Sequence, residues 1–373
     1  MERLTIAERP DYGKKLEAIG LSFWQWDNYW KEDVCYRFSA AQIEELETAT
    51  AELHRLCIRA VGYAIEHERL GELQIPAAFH AAIKTSFEQE EFSLYGRFDL
   101  AYDGINPPKM LEYNADTPTS ILESAVAQWY WLKEVFYDDD QFNSLHERLV
   151  ARWDALPDEP LIHFASIADN EEDWVAVTYL METAIQAGKE VAHLNLEQIG
   201  WDEAQAAFVD IEGKRIRCLF KLYPWEYLMR EPFGAYIAGS GTRFIEPVWK
   251  SVLSCKGILP LLWELFPNHP NLLEAYFSQP DGLQAYARKP LYSREGANIE
   301  LHYEGKAAHH SNDGPYGEEG HIFQALSPLP CFQGMYPVIG SWVVGDEPAG
   351  MCIREDVTPI TTNMSFFVPH FIK

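Results

Sequence analysis

Leu94-Tyr95-Gly96-Arg97-Phe98-Asp99-Leu100-Ala101-Tyr102, a turn signal at Asp103-Gly104 and Pro107-Pro108, and then Lys109-Met110-Leu111-Glu112-Tyr113-Asn114 form the stretch that decides how this chain is read. Apolar and polar residues alternate on both sides of the turn, so the stretch reads as two extended segments joined as an antiparallel hairpin. Side chains two apart share a face of a strand. Arg97 and Asp99 therefore point one way, as do Glu112 and Asn114. Phe98, Leu100, Leu111 and Tyr113 are expected on the opposite, core-facing side. If the polar pairs meet across the hairpin, one patch holds a guanidinium, two carboxylates and an amide. Two carboxylates and an amide oxygen are hard ligands suited to Mg²⁺. An arginine beside them suits a transferring phosphoryl group, whose oxygens match its fork of donors. A solvated strand face with an ordinary Arg–Asp pair satisfies the same spacing.

Outward from the hairpin, residues 40–68 carry Ile43, Leu46, Ala49, Leu53, Leu56, Cys57, Ala60 and Ala64 at helical spacing, with Ser39 placed as N-cap. The region up to about residue 88 reads as helical. After the hairpin, 120–136 reads as a helix and 137–160 as a connection. Leu161–Ile167, a helix over about 172–187 stopped by Gly188, and Glu190–Leu196 make a βαβ unit. Phe208–Asp210 and Arg215–Leu222 read as an added hairpin. Residues 256–266 read as a short buried helix and Ala285–Tyr292 as a strand. The polar glycine loop Ser293-Arg294-Glu295-Gly296-Ala297-Asn298 follows. Strand signals return at 321–326, 336–344 and 349–354.

The chain is acidic: 30 Lys+Arg against 57 Asp+Glu in 373 residues give −27. Such a body repels phosphate backbones, which argues against a general nucleic-acid binder. Aromatics at 14% exclude wholesale disorder. No stretch approaches the ~18–20 apolar residues of a membrane span, so no membrane partner is expected. Met1 to Arg9 lacks the apolar core of a signal peptide, and the cytoplasm is the expected location. Six cysteines are scattered without a C-x-x-C pair and read as small buried hydrophobes. Within this acidic chain Lys256, Lys289, Arg294 and Arg354 stand in apolar segments, where they are candidates for holding a polyphosphate or are simply surface charges. Neither G-x-x-x-x-G-K-[ST] nor G-x-G-x-x-G occurs, so a nucleotide site has to be built another way. G-x-S-x-G is also missing, and Gly239-Ser240-Gly241 reads as a turn. His309-His310 offers two metal-binding rings, but adjacent strand side chains point apart.

Several motifs in matching order resemble one family. Arg97-Phe98-Asp99 with Glu112-Tyr113-Asn114-Ala115-Asp116-Thr117-Pro118-Thr119-Ser120 resembles the synthetase domain of glutathionylspermidine synthase. So do Glu246-Pro247-Val248-Trp249-Lys250, Leu259-Pro260-Leu261-Leu262-Trp263 with Phe266-Pro267, and Arg288-Lys289-Pro290 with 293–298. Tyr223-Pro224-Trp225-Glu226, Gly314-Pro315-Tyr316-Gly317-Glu318-Glu319-Gly320 and Ile353-Arg354-Glu355-Asp356 are similar to runs in shorter bacterial homologues described as candidate acid–amine ligases. The resemblance implies an α+β ATP-grasp fold with an inserted small α/β, pre-ATP-grasp-like subdomain and N-terminal helices. The expected division is 1–88 for the helical region and 89–154 for the part of the body bearing the hairpin. The insert is expected at 155–245 and the remaining nucleotide-binding lobes at 246–373.

The resemblance also implies roles. Asp99, Glu112 and Asn114 match Mg²⁺ ligands. Arg97 and Arg354 match residues on the γ-phosphate and its developing charge. Lys256 and Lys289 match lysines on ATP phosphates, and Gln324 falls where the chain passes the adenine. Arg294 matches the arginine of a loop that closes over the reacting carboxylate. Glu172 and Asp173 match an acidic pair on substrate, where the relative has Glu at the second place. Thr117 belongs to the same substrate-facing run. Thr119 and Ser120 stand where the relative has Ser and Cys beside its peptide substrate. The relative's cysteine amidase domain has no counterpart in these residues, so amide formation is expected rather than hydrolysis. The implied reaction joins a glutathione-like or other peptide or small-molecule carboxylate to a polyamine or other amine, with ATP and Mg²⁺. A non-catalytic polyamine- or peptide-binding module on the same scaffold is the alternative, and a kinase that stops at the phosphorylated acid is a third.

Overall fold

The computed structural model describes residues 1–157, 161–304, 309–310 and 313–373, without the side chains of 309–310. The paired histidines as metal ligands, and the end of the 137–160 connection, therefore fall outside the described residues. The chain folds as a mixed α and β structure.

The hairpin forms as the alternation dictates. Tyr95–Ala101 pairs antiparallel with Lys109–Asn114, setting Arg97 opposite Asn114, Phe98 opposite Tyr113 and Asp99 opposite Glu112. Phe98 and Tyr113 stack at 3.8 Å between ring centroids. One expected placement differs. The register shifts between Asp99 and Leu100, so that Leu100 faces Met110. The shift reverses the alternation beyond it. Met110 takes the core place, fully buried, and Leu111 turns to the polar side. The hairpin edges a five-stranded sheet in which Tyr336–Val344 pairs with Tyr95–Ala101 and with Glu347–Asp356, and Phe366–Phe367 closes the far side.

Helix Ala40–Glu66 packs against this sheet and against helix Ile258–Leu265. Its start is fixed by a capping box: Ser39 accepts from the Gln42 amide and Gln42 returns the bond to Ser39. Every residue of the expected apolar stripe is buried. The expected helix over 120–136 forms as a π-helical turn, Glu123–Ala127, followed by Gln128–Val135.

The region up to residue 88 is not wholly helical. Glu2–Thr5 pairs with Val34–Phe38, which pairs in parallel with His370–Ile372. These strands find their partner at the other end of the chain, which no local pattern signals. The βαβ unit forms as Leu161–Ser166, helix Glu171–Gln186 and Glu190–Asn195. The expected hairpin over 208–222 forms only at its turn, where Val209 bridges Arg215 antiparallel and the Ile216 amide donates to the Phe208 carbonyl. Ala207–Val209 pairs back to Gly200–Asp202, and Cys218–Lys221 joins the parallel sheet between Leu161–Ser166 and Arg243–Ile245. All four residues of Cys218–Lys221 are buried, so a two-sided core position suits them and a hairpin edge does not.

The third of the three large sheets is antiparallel, with the order Ala275–Phe277, His321–Ala325, Tyr286–Pro290, Glu300–His302, His309–His310. Five of the six cysteines are buried and Cys331 is exposed. Among the described residues no helix is long and apolar enough to cross a membrane.

Candidate active site

The polar face of the hairpin, the third sheet and the start of helix Glu171–Gln186 enclose a cleft of about 440 Å³. Arg97, Asp99, Glu112 and Asn114 line it, as their shared face requires. Thr117 and Thr119 follow at the hairpin exit. Glu172 and Asp173 enter from the first turn of the helix, Lys289 and Gln324 from the third sheet, Arg294 from the loop after Tyr286–Pro290, and Arg354 from Glu347–Asp356 in the hairpin's own sheet. Lys256 lines a small adjoining pocket that shares Glu112, Asn114, Thr117 and Arg294 with the cleft. Ser120 is buried outside the lining, with Oγ 3.5 Å from Arg354 Nη1.

Charges in the cleft are matched closely. Arg97 Nε donates to Asp99 Oδ1 at 2.9 Å and Nη1 to the Thr119 carbonyl at 2.9 Å. Gly340, opposite Asp99 in the sheet, gives Arg97 its room: a Cβ there would lie 2.8 Å from Arg97 Cδ and 2.5 Å from Cys352 Sγ. Asn114 Nδ2 donates to Asp99 Oδ2 and to Glu112 Oε1, each at 3.2 Å. Lys256 Nζ lies 3.0 Å from Glu112 Oε2 and donates to the Ser293 carbonyl at 2.9 Å. Lys289 Nζ donates to the Leu111 carbonyl at 2.9 Å and to Gln324 Oε1 at 2.7 Å. Arg354 is held by the carbonyls of Thr362, Asn363 and Ser365 and lies 5.0 Å from the Tyr29 ring centroid.

This crowding moves proton affinities. Burial pushes Glu112 up, but Lys256 and Lys289 override it and hold the carboxyl at about 2. Burial raises Asp99; Arg97 opposes the shift and Glu112 adds to it. Burial lowers the Lys289 ammonium to about 8, against the pull of Glu112. Burial, then Glu172, raises Asp173 to about 7. The same two causes raise Glu295 beside it.

The donors at the hairpin fit a hard divalent cation. Asp99 and Glu112 bring oxygens within reach of one Asn114 amide nitrogen, and a half-turn of that amide presents its oxygen to the same point. Beyond Lys289 and Gln324 the cleft turns apolar, with Ala287, Leu301, Leu326, Val338 and Ile360 on its walls.

A buried layer of ion pairs behind the cleft had no local signal as such. Glu246, fully buried, accepts from the amides of Leu94 and Tyr95 and from Lys250 Nζ at 2.8 Å, pinning the first hairpin strand. Asp116 accepts from Lys221 Nζ at 2.6 Å and from the Trp225 amide at 2.8 Å. Glu226 accepts from Arg294 at 3.0 Å. Glu123, raised to about 7 by burial against a hydrogen bond from Tyr29, lies under Ser120 and Arg354. Charged residues inside apolar runs, such as Lys221 between Phe220 and Leu222, were the available signal.

Among solved structures the chain is similar to a glutathione synthetase-like effector from Globodera pallida in apo form. The TM-score is 0.55 at 10% identity, over 99% of this chain and all of that one. The fold is therefore of the glutathione synthetase-like kind. The chain belongs to the family described as glutathionylspermidine synthase preATP-grasp, whose model matches residues 3–373. It is 41% identical to a candidate acid–amine ligase of Haemophilus influenzae over 100% of this chain and 99% of that protein. It is 30% identical to the bifunctional glutathionylspermidine synthetase/amidase of Escherichia coli over 90% of this chain. Identity to the trypanothione synthetase of Crithidia fasciculata is 29% over 86% of the chain. These alignments span 58% and 54% of the latter two proteins' own lengths.

Proposed function

We propose that the protein is an ATP-dependent carboxylate–amine ligase that forms an amide through an acyl phosphate, on an ATP-grasp body with an inserted α/β subdomain over 155–245. The observation that carries this reading is the gathering of Arg97, Asp99, Glu112 and Asn114 on one hairpin face, with Lys256 on Glu112 and Lys289 beside it. Family membership and the names of the relatives support the same reaction class.

A carboxylate is a poor electrophile because its charge repels nucleophiles. Transfer of the γ-phosphoryl of ATP to a carboxylate oxygen releases ADP and leaves a bond that an amine can displace. The amine nitrogen then attacks the acyl carbon, phosphate leaves and the amine loses a proton. Such chemistry asks for positioning and charge neutralisation rather than a protein nucleophile. Asp99, Glu112 and Asn114 would hold Mg²⁺, which when bound neutralises charge on the terminal phosphates. Lys256 and Lys289 hold the phosphate chain, and Gln324 with the apolar end takes the base. Arg97 and Arg354 face the charge that moves with the phosphoryl group. Arg294 holds the reacting carboxylate and helps exclude water. Thr117 and Thr119 border the acid substrate, while Ser120, buried behind them against Arg354, does not reach it directly. Glu172 and Asp173 receive a cationic amine, and a polyamine suits two adjacent carboxyl groups. The seat of the reaction is the cytoplasm.

The test incubates the purified protein with ATP, Mg²⁺ and pooled carboxylates and amines. ADP release that needs both pools, with a product lighter than its two parents by one water, is expected. Hydroxylamine should intercept the acyl phosphate. Arg97→Ala should abolish ADP formation while circular dichroism stays native. Near-normal turnover in that variant would remove Arg97 from the mechanism, and a wild type that forms no ADP under any pairing would overturn the ligase reading.

A further inference from the structure

The short helix Trp225–Leu228 belongs to the α/β layer, yet its polar side chains face loops of the third sheet. Its base is rigid. Trp225 is fully buried, its amide donates to Asp116 and its indole donates to the Glu246 carbonyl at 3.1 Å. From that base, Glu226 Oε1 accepts from Arg294 Nη2 at 3.0 Å, and the Glu226 side chain is only 5% exposed. Arg294 Nη1 donates to Thr117 Oγ1 at 2.6 Å, so the guanidinium bridges the helix and the hairpin exit. Its Nε is buried without an acceptor among the described residues.

The next residue makes a second tie: the hydroxyls of Tyr227 and Tyr316 lie 3.2 Å apart. Arg230, just past the helix, pairs with Glu319 at 3.4 Å and lies 5.6 Å from the Tyr292 ring centroid. The two loops are also bonded to each other, because the Tyr316 amide donates to Asn298 Oδ1 at 3.2 Å. Gly296, with φ of +68°, lets the first loop close on the Thr361 carbonyl, which would meet a Cβ at 2.3 Å. Contacts from one small helix therefore hold both loops at the cleft.

We propose that helix Trp225–Leu228 is the keeper of the closed cleft. Glu226 is a positioning residue that holds Arg294, and Tyr227 holds the second loop through Tyr316, so that the two loops shut as one unit. What they shut upon rests on the ligase reading above. The consequence is coupling: with the loops held, water is kept from the activated acid until the amine arrives.

Hydrogen exchange tests the latch without reference to catalysis. In the ligand-free full-length protein, Glu226→Ala should lower protection of peptides covering 292–298 and 314–320 by about tenfold or more, leaving Tyr95–Ala101 unchanged. Glu226→Gln, which keeps an oxygen acceptor, should restore part of that protection, and Tyr227→Phe should loosen 314–320 most and, through the Tyr316–Asn298 bond, 292–298 to a lesser degree. With ATP, Mg²⁺ and substrates, Glu226→Ala should release more than one ADP per amide and lower kcat by up to about 10²-fold, with the KM for ATP within about twofold. Unchanged loop protection in both Glu226→Ala and Tyr227→Phe overturns the latch, as does protection lost equally across the central sheet. If Glu226→Ala does not fold, Tyr227→Phe and Glu226→Gln decide the matter. A wild type without ligase activity whose loops still depend on Glu226 refutes the function reading and leaves the latch standing.

Discussion

Replacing Gly340 by alanine should damage both the sheet and the cleft, and the two effects should separate. Gly340 lies in the middle strand, opposite Asp99 on one side and Cys352 on the other. Its φ is not in the left-handed region, so alanine meets no backbone penalty and the whole cost is contact. The added Cβ would come within 2.5 Å of Cys352 Sγ and 2.8 Å of Arg97 Cδ. Cys352 is fully buried and Arg97 is held by Asp99 and the Thr119 carbonyl, so neither yields freely. Overpacking of this kind costs about 1–3 kcal/mol. Urea unfolding of Gly340→Ala should show that loss, and displacement of Arg97 should lower kcat by about 10²-fold. Cys352→Ala removes the nearer clash. In that background Gly340→Ala should cost at least about 1 kcal/mol less in stability, a non-additivity expected of touching residues. Activity should stay low, because the contact with Arg97 remains. A loss under about 0.5 kcal/mol, the range of an inert surface change, would refute the close approach. A cost indifferent to Cys352 would refute its assignment.

Two further outcomes follow from buried charge. Lys221→Met should destabilise the protein by about 3–5 kcal/mol, because it strands the Asp116 carboxylate in the interior. Adding Asp116→Asn should recover more than half of that in denaturant melts, and no recovery would show that packing of the lysine stem, not charge, sets the loss. Lys289, lowered by burial to about 8, is charged below that pH and neutral above it. The kcat/KM for ATP should therefore fall as pH rises through about 8, and Lys289→Arg should erase that limb; a limb that persists in the arginine variant would assign it to another group. In stability the sign is opposite. Between about 8 and its ordinary 10.5 the folded protein binds fewer protons at Lys289 than the unfolded chain, so this group adds stability as pH rises across that window.

The hairpin was legible because strand periodicity fixes which side chains share a face, and the turn residues fix where the chain reverses. Its face carried the acidic and amide groups to one point, as read from spacing. Leu111 was misplaced because a one-residue shift in register leaves no trace in composition. The helix at Ala40–Glu66 was legible through its period and its cap. Strands Glu2–Thr5 and Val34–Phe38 were not, since their sheet is completed by residues 370–372. Cys218–Lys221 reads as a strand from any viewpoint, and only the fold says that its neighbour is Leu161–Ser166 rather than Ala207–Val209. The ion pairs behind the cleft join residues 105 and 68 positions apart, Asp116 with Lys221 and Glu226 with Arg294. Asp116, Glu226 and Arg294 stood inside recognisable motifs and Lys221 only inside an apolar strand signal, but partnership across such distances is a property of packing.

The distribution of charge also says where the terminal phosphates approach, if the ligase reading holds. Three cations at the cleft already have carboxylates: Arg97 with Asp99, Lys256 with Glu112, and Arg294 with Glu226. Lys289 and Arg354 have none within ion-pair distance among the described residues. Lys289 is turned to a carbonyl and an amide oxygen, and Arg354 to three carbonyls. Neutral acceptors orient a cation without cancelling its charge, so these two keep the largest uncompensated attraction for an anion. The fall in the Lys289 proton affinity has the same origin: its charge is buried faster than neighbours repay it. A polyphosphate lying between Lys289 and Arg354 would pass over Asp99, Glu112 and Asn114, the oxygen donors suited to a divalent ion.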